Sequence, residues 1–533
     1  MIRRGVAQHK LAEAASAMAL LLLSFASGCA NVAPPSADSA EIDPAALTPI
    51  ARIDERFQSY NVGFAALTGT RDWIAYDRLP ASAGSAGPEQ VGDVRSSLYE
   101  FRPPLDLTNP RLVKLTAALG PAYIRFSGTQ ANLIYFQDDD NPRLAAAPEG
   151  FRDVLTRDAW RRALTFTRSV DAKILTSFTI STGVRDANGD WTTPMAERFV
   201  RFTRAAGGDL YAAELFNEPN LPSFGGGPPG YDSRRYAKDM AAFRAFVHQT
   251  IPTMLIAGPG DVSTANIPIP GAPTPEQLMA GPPKVDVDIV SYHSYGAVSR
   301  RCAPPDAPSG TSEDQALTED WLARPDSPLA EHRALRDAVA PRAPIWNTES
   351  GGAACGGSPW SPTFLDTFRF LDQQGRSARN GLSVIFNQTL VGGDYGMIDA
   401  RTFEPRPDYW AALLWRRMMG TTVLDAGPRK PGLHVYAHCL RGSVGGVALM
   451  AINLETAPKT IRVNGTLERY ALTAPTLTSR TMLLNGRALS LGANDDLPAL
   501  SPVRASGAIS LPPTSISFIA APEAHNQSCR AAG

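Results

Sequence analysis

Short apolar runs alternate with longer segments of helical periodicity from about residue 50 onward. In the helical segments, such as 158–170 and 195–206, apolar residues recur every three or four positions. This alternation is typical of strand and helix units around a parallel sheet. Eight apolar runs have the length of strands: 60–66, 122–127, 173–180, 213–216, 254–258, 288–292, 344–347 and 382–387. The pattern predicts a (β/α)8 TIM barrel.

A doubly wound open sheet is the alternative architecture, but no Gly-x-Gly-x-x-Gly follows the first run to support a nucleotide site. After the helical pattern at 408–419 the runs become short and alternating, with Gly, Asn and Pro between them. That texture predicts a C-terminal β-sandwich. The segment 50–57 is expected to add a strand to it. The predicted organisation is a signal at 1–28, a flexible tether at 29–48, a catalytic barrel at 49–418 and a sandwich at 419–533.

The N-terminal residues have the pattern of an export signal. Basic residues precede an apolar run at 14–25, and small residues follow up to Gly28. Cys29 comes next, an order that resembles the lipobox of bacterial lipoproteins, with ordinary signal cleavage as the alternative. The run is too short to predict a membrane span. We expect an exported protein, periplasmic or at the cell surface, held on the outer-membrane face by a lipid on Cys29.

Charge and cysteine content narrow the partners and the compartment. The 51 basic and 52 acidic side chains nearly cancel, so nothing global indicates nucleic-acid binding. Without Cys29, the cysteines are Cys302, Cys355, Cys439 and Cys529. An even number in an oxidising compartment favours two disulfides over four free thiols. No Cys-x-x-Cys or paired-His spacing indicates a metal site, and we expect no cofactor.

Three predicted strands carry polar clusters where they end. In an α/β barrel the carboxyl ends of the strands carry the chemistry, and the fourth and seventh strands face each other across the mouth. Each cluster alone is more often part of a satisfied core, but Glu218 and Glu349 are expected to approach each other. The clusters are Asn217 and Glu218 after the fourth run, His293, Ser294 and Tyr295 after the sixth, and Asn347, Thr348 and Glu349 at the seventh.

Two opposed carboxylates in a sugar-sized cleft are typical of glycosidases. At a separation of about 5 to 5.5 Å one acts as nucleophile and the other as acid/base, and the reaction retains configuration. Tyr295 is expected to donate a hydrogen bond to Glu349 and favour its charged form. Asn217 is expected to bind a sugar 2-hydroxyl. His293 is a further candidate for substrate binding.

Longer segments resemble a known family. Asn217-Glu218-Pro219-Asn220, with a second Glu on the seventh strand, resembles the clan A retaining glycosidases. Four segments narrow the resemblance to glycoside hydrolase family 79, the heparanase and β-glucuronidase family, and imply a bacterial, heparanase-like member with Glu218 as acid/base and Glu349 as nucleophile. In heparanase order they are Pro-Ala-Tyr-Ile-Arg-Phe-Ser-Gly-Thr at 121–129, Trp-Asn-Thr-Glu-Ser at 346–350, Pro-Asp-Tyr-Trp at 407–410 and Leu-His-Val-Tyr-Ala-His-Cys at 433–439.

The resemblance implies further binding residues. In this family backbone amides and a Tyr in the loop after the eighth strand hold the glucuronate carboxylate, and Gly393 and Tyr395 stand at that place. Oriented backbone donors suit an anion, although a Gly pair alone is more often a plain turn. Thr129 resembles a subsite residue of the family.

The resemblance also bears on the cysteines. Cys439 and Cys529 match a disulfide of the family that ties the last strands to the C-terminal tail. Cys302 and Cys355 have no such counterpart. Both lie in loops beside the candidate site, where a bridge would make the rim rigid.

The sequence differs from heparanase in two ways, which bear on the class of substrate and on proteolytic maturation. The loop at 260–270 has no basic residue, whereas heparanase has basic clusters beside its cleft, so sulfated heparan is in doubt. Between residues 127 and 158 only a short Asp-rich loop stands in place of the excised linker of the vertebrate enzyme. We therefore expect the single chain to be active without proteolytic maturation.

The leading hypothesis is a monomeric, retaining β-glucuronidase of glucuronic-acid-containing glycans. It would attack either within the chain or at its non-reducing end, depending on how the loop 221–231 crosses the cleft. One alternative is a surface carbohydrate-binding protein without catalysis. The other is a clan A hydrolase of a neutral glycan, which would need no anion clamp at Gly393 and Tyr395.

Overall fold

The structure, a computed structural model, describes residues 40–79, 96–303 and 306–530. The predicted signal, most of the tether and Cys29 lie outside these residues. Among the helices of the described chain, none is long and apolar enough to cross a membrane.

The strands of the described residues are numbered in chain order. They are β1 Ala40–Ile42, β2 Pro49–Arg52, β3 Gln58–Gly63, β4 Thr70–Trp73, β5 Tyr99–Arg102, β6 Ala122–Ser127, β7 Ile134–Gln137, β8 Asp153–Thr156, β9 Ala172–Ser177, β10 Leu210–Glu214, β11 Leu255–Val262, β12 Ile289–Val298, β13 Ile345–Ala354, β14 Val384–Asn387, β15 Met419–Leu424, β16 Leu433–Leu440, β17 Val447–Asn453, β18 Lys459–Thr473, β19 Leu483–Leu484, β20 Arg487–Ala488, β21 Val503–Leu511 and β22 Ser515–Ala521.

The α-helices are numbered in the same way. They are α1 Phe64–Thr68, α2 Pro110–Leu119, α3 Arg157–Ser169, α4 Pro194–Ala205, α5 Ser233–Thr250, α6 Pro275–Ala280, α7 Glu319–Ala323, α8 Asp326–Val339, α9 Phe364–Arg379 and α10 Pro407–Met418.

Eight parallel strands close into a barrel in the order β3-β6-β9-β10-β11-β12-β13-β14. Each of the eight predicted runs overlaps one of these strands. The predicted (β/α)8 barrel is therefore confirmed, and the open sheet is wrong. The barrel interior is packed with side chains from most of its strands, which makes it a core rather than a channel. They are Tyr123, Leu175, Ala212, Ala257, Ile289, Trp346, Val384 and Phe386.

The helices cover the barrel because their buried residues recur at helical spacing. In α3, Thr156 caps the first turn by accepting a hydrogen bond from the Ala159 amide. Trp160, Ala163 and Leu164 on one face of α3 are buried in the main core. The opposite face carries charged side chains, as expected for a helix between a sheet and solvent.

The strands that carry the polar clusters differ in extent from the prediction. β10 ends at Glu214, so Glu218 lies four residues beyond it (218 minus 214) and not at the strand terminus. β12 and β13 stay paired up to Val298 and Ala354. Tyr295 and Glu349 therefore lie inside strands, because the ladder between β12 and β13 continues past the apolar runs that predicted them.

The C-terminal strands β15 to β22 form a sheet of ten strands together with β1 and β2. One core gathers side chains from both halves of this sheet, including Leu449 on β17, Ile461 on the first half of β18 and Ile509 on β21. The sheet thus folds over its own core, as the predicted sandwich requires. β2 pairs antiparallel with β15, so the segment before the barrel adds a strand to this sheet.

The sheet packs on the barrel through its other face. Ala448 and Met450 alternate with Val447 and Leu449 along β17 and lie in the main core, against the helices of the barrel. Because both faces are covered, every residue of β17 is buried.

A buried ion-pair cluster joins the sheet to the barrel. His434 on β16 lies between Asp372 on α9, 2.6 Å from its Nδ1, and Glu319 on α7, 3.0 Å from its Nε2. Arg376 pairs with Asp372 from one turn along α9. Burial raises the pKa of Asp372, but His434, Arg376 and the Tyr436 hydroxyl outweigh it and hold that pKa below its ordinary value.

Candidate active site

Glu218 stands on a tightly held segment after β10. Its backbone has φ +59°, in the left-handed region that costs a non-glycine residue free energy. Two asparagine side chains fix the segment on either side. Asn132 accepts from the Asn217 amide at 3.0 Å and donates to the Asn217 carbonyl at 3.0 Å. Asn220 exchanges two hydrogen bonds with the backbone of Val262.

Glu349 faces Glu218 from β13 and accepts two charge-stabilising hydrogen bonds. Arg125 Nη1 donates to its Oε2 at 2.9 Å, and the Tyr295 hydroxyl donates to its Oε1. The Glu349 side chain is 10% exposed, so both bonds are largely shielded from water. The two donors therefore fix both oxygens of the Glu349 carboxylate in place.

Arg125, on β6, is the centre of the polar network. Its guanidinium also donates to Glu214 Oε2 at 2.8 and 3.0 Å, to Asn217 Oδ1 at 2.8 Å and to Asn61 Oδ1 at 3.0 Å. Burial would raise the pKa of Glu214, but Arg125 and His293 hold it below its ordinary value. Arg125 thereby connects the segment of Glu218 to the carboxylate of Glu349.

His293 lies between the two carboxylates on β12. Its Nε2 is 3.0 Å from Arg125 Nη2, and its Nδ1 is 3.1 Å from Glu218 Oε1. Because a guanidinium only donates, Nε2 accepts, and Nδ1 carries the proton that faces Glu218. Burial and Arg125 lower the pKa of His293, yet Glu349 and the other carboxylates outweigh them, so that the pKa lies above its ordinary value.

The two carboxylates lie close together. Glu218, His293 and Glu349 each offer a ligand atom, and these atoms lie within 4.8 Å of one another. These three residues are thus the group that could hold a metal ion in the part of the chain that the structure describes. However, the guanidinium of Arg125 places a positive charge 2.9 Å from Glu349 Oε2, which opposes cation binding. The arrangement suits proton transfer and nucleophilic attack better.

The remaining predicted binding residues lie at the same end of the barrel. Thr129 follows β6 at the start of a short 3-10 helix. Gly393 and Tyr395 lie in the loop after β14, and Gly393 has φ +64°. Burial raises the pKa of Tyr395, and Asp72 and Glu349 raise it further.

Both disulfides are present. Cys439 bonds to Cys529, and Cys302 bonds to Cys355. The first pair closes the C-terminal tail onto β16. The second joins the loops after β12 and β13 beside the candidate site.

Several residues of the network escaped prediction. Arg125 and Glu214 are charged residues inside otherwise apolar runs, and that placement is the signal that could have found them. Arg301 and Asp394 form a buried ion pair at the rim, between loops far apart in the sequence. No local pattern indicates such a pair.

Comparison with known proteins identifies relatives of the chain. No family model matches it. Heparanase-like protein 1 of Arabidopsis thaliana is 29% identical over 490 residues, 80% of this chain and 86% of that protein. Hyaluronoglucuronidase of Hirudo nipponia is 25% identical over 475 residues, 80% of this chain and 92% of that protein. The chain is thus similar over most of its length to heparanase-like glycosidases, which supports the resemblance to glycoside hydrolase family 79.

The fold of the chain agrees with a solved structure. A 4-O-α-L-rhamnosyl-β-D-glucuronidase from Fusarium oxysporum aligns with a TM-score of 0.62 at 15% identity, over 90% of this chain and 98% of that chain. At that identity the likeness concerns the fold alone. The relatives identify the chain as a glycosidase, and the alternative of a binding protein without catalysis is therefore wrong.

Proposed function

We propose that this heparanase-like protein is a retaining β-glucuronidase of glucuronic-acid-containing glycans. The observation that carries the proposal is the approach of Glu218 and Glu349, whose nearest oxygens lie within 4.8 Å. Retaining enzymes separate their carboxyl groups by about 5 to 5.5 Å, whereas inverting enzymes leave about 6.5 to 9.5 Å for a water molecule. The spacing favours attack by an enzyme carboxylate.

The environments of the two carboxylates assign their roles. Glu349 accepts from Arg125 and Tyr295, and these two donors orient its carboxylate as a nucleophile requires. Glu218 lies opposite it, with His293 Nδ1 3.1 Å from its Oε1, and is the second carboxylate that the retaining mechanism requires. Glu218 therefore acts as acid/base.

The reaction then has two steps. In the first, a Glu349 oxygen bonds to the anomeric carbon while the glycosidic bond breaks, and Glu218 gives its proton to the leaving oxygen. In the second, Glu218 takes a proton from water, which attacks the anomeric carbon and releases Glu349. Asn217, held by Arg125 at 2.8 Å, is placed to bind the sugar 2-hydroxyl.

The loop after β14 offers hydrogen-bond donors for the carboxylate of a glucuronide substrate. Arg406 Nη1 donates to the carbonyls of Gly393 at 2.7 Å and Asp394 at 3.1 Å. In planar peptides the following N–H groups, those of Asp394 and Tyr395, point away from Arg406. Two adjacent N–H groups oriented in this way are backbone donors that suit an anion, and Tyr395 stands on the same loop. The name of the relative from Hirudo nipponia, hyaluronoglucuronidase, also indicates action on a glucuronide.

Substrate preference tests the proposal. On 4-nitrophenyl glycosides we expect kcat/KM for the β-glucuronide to exceed that for the β-glucoside about 100-fold or more, because the oriented donors are left unpaired by a neutral sugar. Proton NMR of the first product should show the β-anomer. Preferred turnover of the β-glucoside would contradict the specificity, and an initial α-anomer would contradict retention. Product lengths from hyaluronan and heparan oligosaccharides then separate internal from terminal attack.

We also propose export and lipid anchoring at Cys29, on the sequence pattern around it. Mass spectrometry of the mature protein is expected to find diacylglycerol on an N-terminal Cys29, and the protein in the membrane fraction. A Cys29→Ser variant should lose the lipid and keep its glycosidase activity. A mature N-terminus elsewhere, without lipid, would contradict the anchor.

A further inference from the structure

We propose that Arg301 is a positioning residue for the sugar in the site, because it fixes the segment 355–357 and the loop 392–396 on which Tyr395 stands. The proposal deepens the proposed function and rests on it, since it concerns the recognition of the substrate by that same loop. Arg301 itself is not expected to touch the substrate.

The guanidinium of Arg301 binds three separate segments of the rim. Its side chain has no exposed surface. Nη2 donates to Asp394 Oδ2 at 2.5 Å and to the Ile74 carbonyl at 2.6 Å. Nη1 donates to the carbonyls of Gly356 at 2.8 Å and Cys355 at 3.2 Å. With its own segment after β12, Arg301 connects four segments at the barrel mouth.

Each of these contacts is charge-assisted or stacked. Asp394 is 4% exposed, and its carboxylate also accepts from the Tyr76 amide at 3.2 and 3.3 Å. The Tyr76 ring lies 3.7 Å from Arg301 Cζ, in a cation–π contact. Only a planar guanidinium, with several N–H donors, can contact all of these partners at once, which is why arginine is required here.

The segments that Arg301 holds lie on both sides of Tyr395. Asp394, its ion-pair partner, directly precedes Tyr395. Gly357, next to its other partners, lies against the Tyr395 ring, and a Cβ at Gly357 would come within 3.0 Å of that ring. Gly357 also has φ +86°, so both its conformation and its contact favour glycine. The position of Tyr395 relative to Glu349 therefore depends on Arg301.

The disulfide ties the same two segments covalently. Cys302 follows Arg301, and Cys355 precedes Gly356, whose carbonyl Arg301 binds. The bond limits how far the segments separate, while the guanidinium sets the orientation of the peptides. Loss of Arg301 is thus expected to misplace the binding loop without opening the barrel.

The test compares Arg301→Lys with Arg376→Met under conditions where circular dichroism shows both to be folded. Arg376 is the matched control, because it also forms a buried ion pair but lies between the barrel and the sheet. Kinetics are measured on whichever 4-nitrophenyl glycoside the wild type hydrolyses. We expect Arg301→Lys to raise KM about tenfold or more with kcat within about threefold, and Arg376→Met to leave KM unchanged.

Asp394→Asn provides a second variant of nearly the same volume, in case Arg301→Lys does not fold. It removes the charge that Arg301 binds and should raise KM in the same direction. An unchanged KM in the folded Arg301→Lys or Asp394→Asn protein would overturn the proposal, as would an equal rise in Arg376→Met. If the wild type prefers a neutral glycoside, the proposed function fails, while the KM comparison on that glycoside still decides the role of Arg301.

Discussion

Glu349→Gln is expected to lower kcat on an aryl β-glucuronide by about 10³-fold or more, because the amide cannot form the glycosyl-enzyme bond. The replacement has nearly the same volume and keeps an oxygen that can accept from Arg125 or Tyr295. The fold and the binding of a competitive inhibitor should therefore persist. Steady-state kinetics and isothermal titration calorimetry measure the two quantities.

The matched control for this variant is Glu404→Gln. Glu404 is 56% exposed and pairs with Arg111 at the surface. Its replacement should leave kcat within about twofold. Activity of Glu349→Gln near the wild-type level, with the control also active, would remove Glu349 from the mechanism.

Arg125→Met is expected to lower the free energy of unfolding by about 3 to 5 kcal/mol and to abolish most of the activity. The methionine leaves the Glu214 carboxylate buried without its counter-charge, since Arg125 supplies two of its hydrogen bonds. Glu349 and Asn217 lose a donor as well. Chemical denaturation monitored by tryptophan fluorescence measures the stability.

The pH dependence of this loss has a defined sign. In the wild type the pKa of Glu214 is held below its ordinary value, so the stability it contributes is present above the unfolded-state pKa and is lost as pH falls. Without Arg125, burial dominates and raises the folded-state pKa, so the variant loses stability as pH rises. We expect a larger deficit at pH 7 than at pH 4.

A double variant isolates the charge effect. Arg125→Met combined with Glu214→Gln removes the unpaired charge and should recover part of the stability at pH 7, while the activity stays low because Glu349 still lacks its donor. A deficit in Arg125→Met that is below about 1 kcal/mol and independent of pH would contradict this account of the network.

The barrel could be predicted from the sequence because its strands are buried on both faces. Such strands appear as continuous apolar runs, and β6 coincides with the run at 122–127. The limits of β12 and β13 were wrong because their ladder continues through His293, Tyr295 and Glu349. Polar residues inside a strand interrupt the apolar pattern from which strands are predicted.

The candidate site was predicted in part for a physical reason. Glu218 and Glu349 belong to recognisable local motifs at positions that barrel topology brings together. The role of Arg125 could not be predicted, because its contacts with Glu214 and Asn217 form only when the barrel is closed. Arg301 depends on loops whose course the sequence pattern does not determine.

The most direct test of the central claim is chemical rescue with azide. In Glu349→Ala, azide takes the place of the nucleophile and attacks once, so an activated aryl β-glucuronide should yield the α-glucuronosyl azide. In Glu218→Ala, the glycosyl-enzyme still forms on Glu349 and azide attacks it second, which should yield the β-glucuronosyl azide. NMR of the two products distinguishes them. A β-azide from Glu349→Ala together with an α-azide from Glu218→Ala would show that the roles are reversed and would contradict the account.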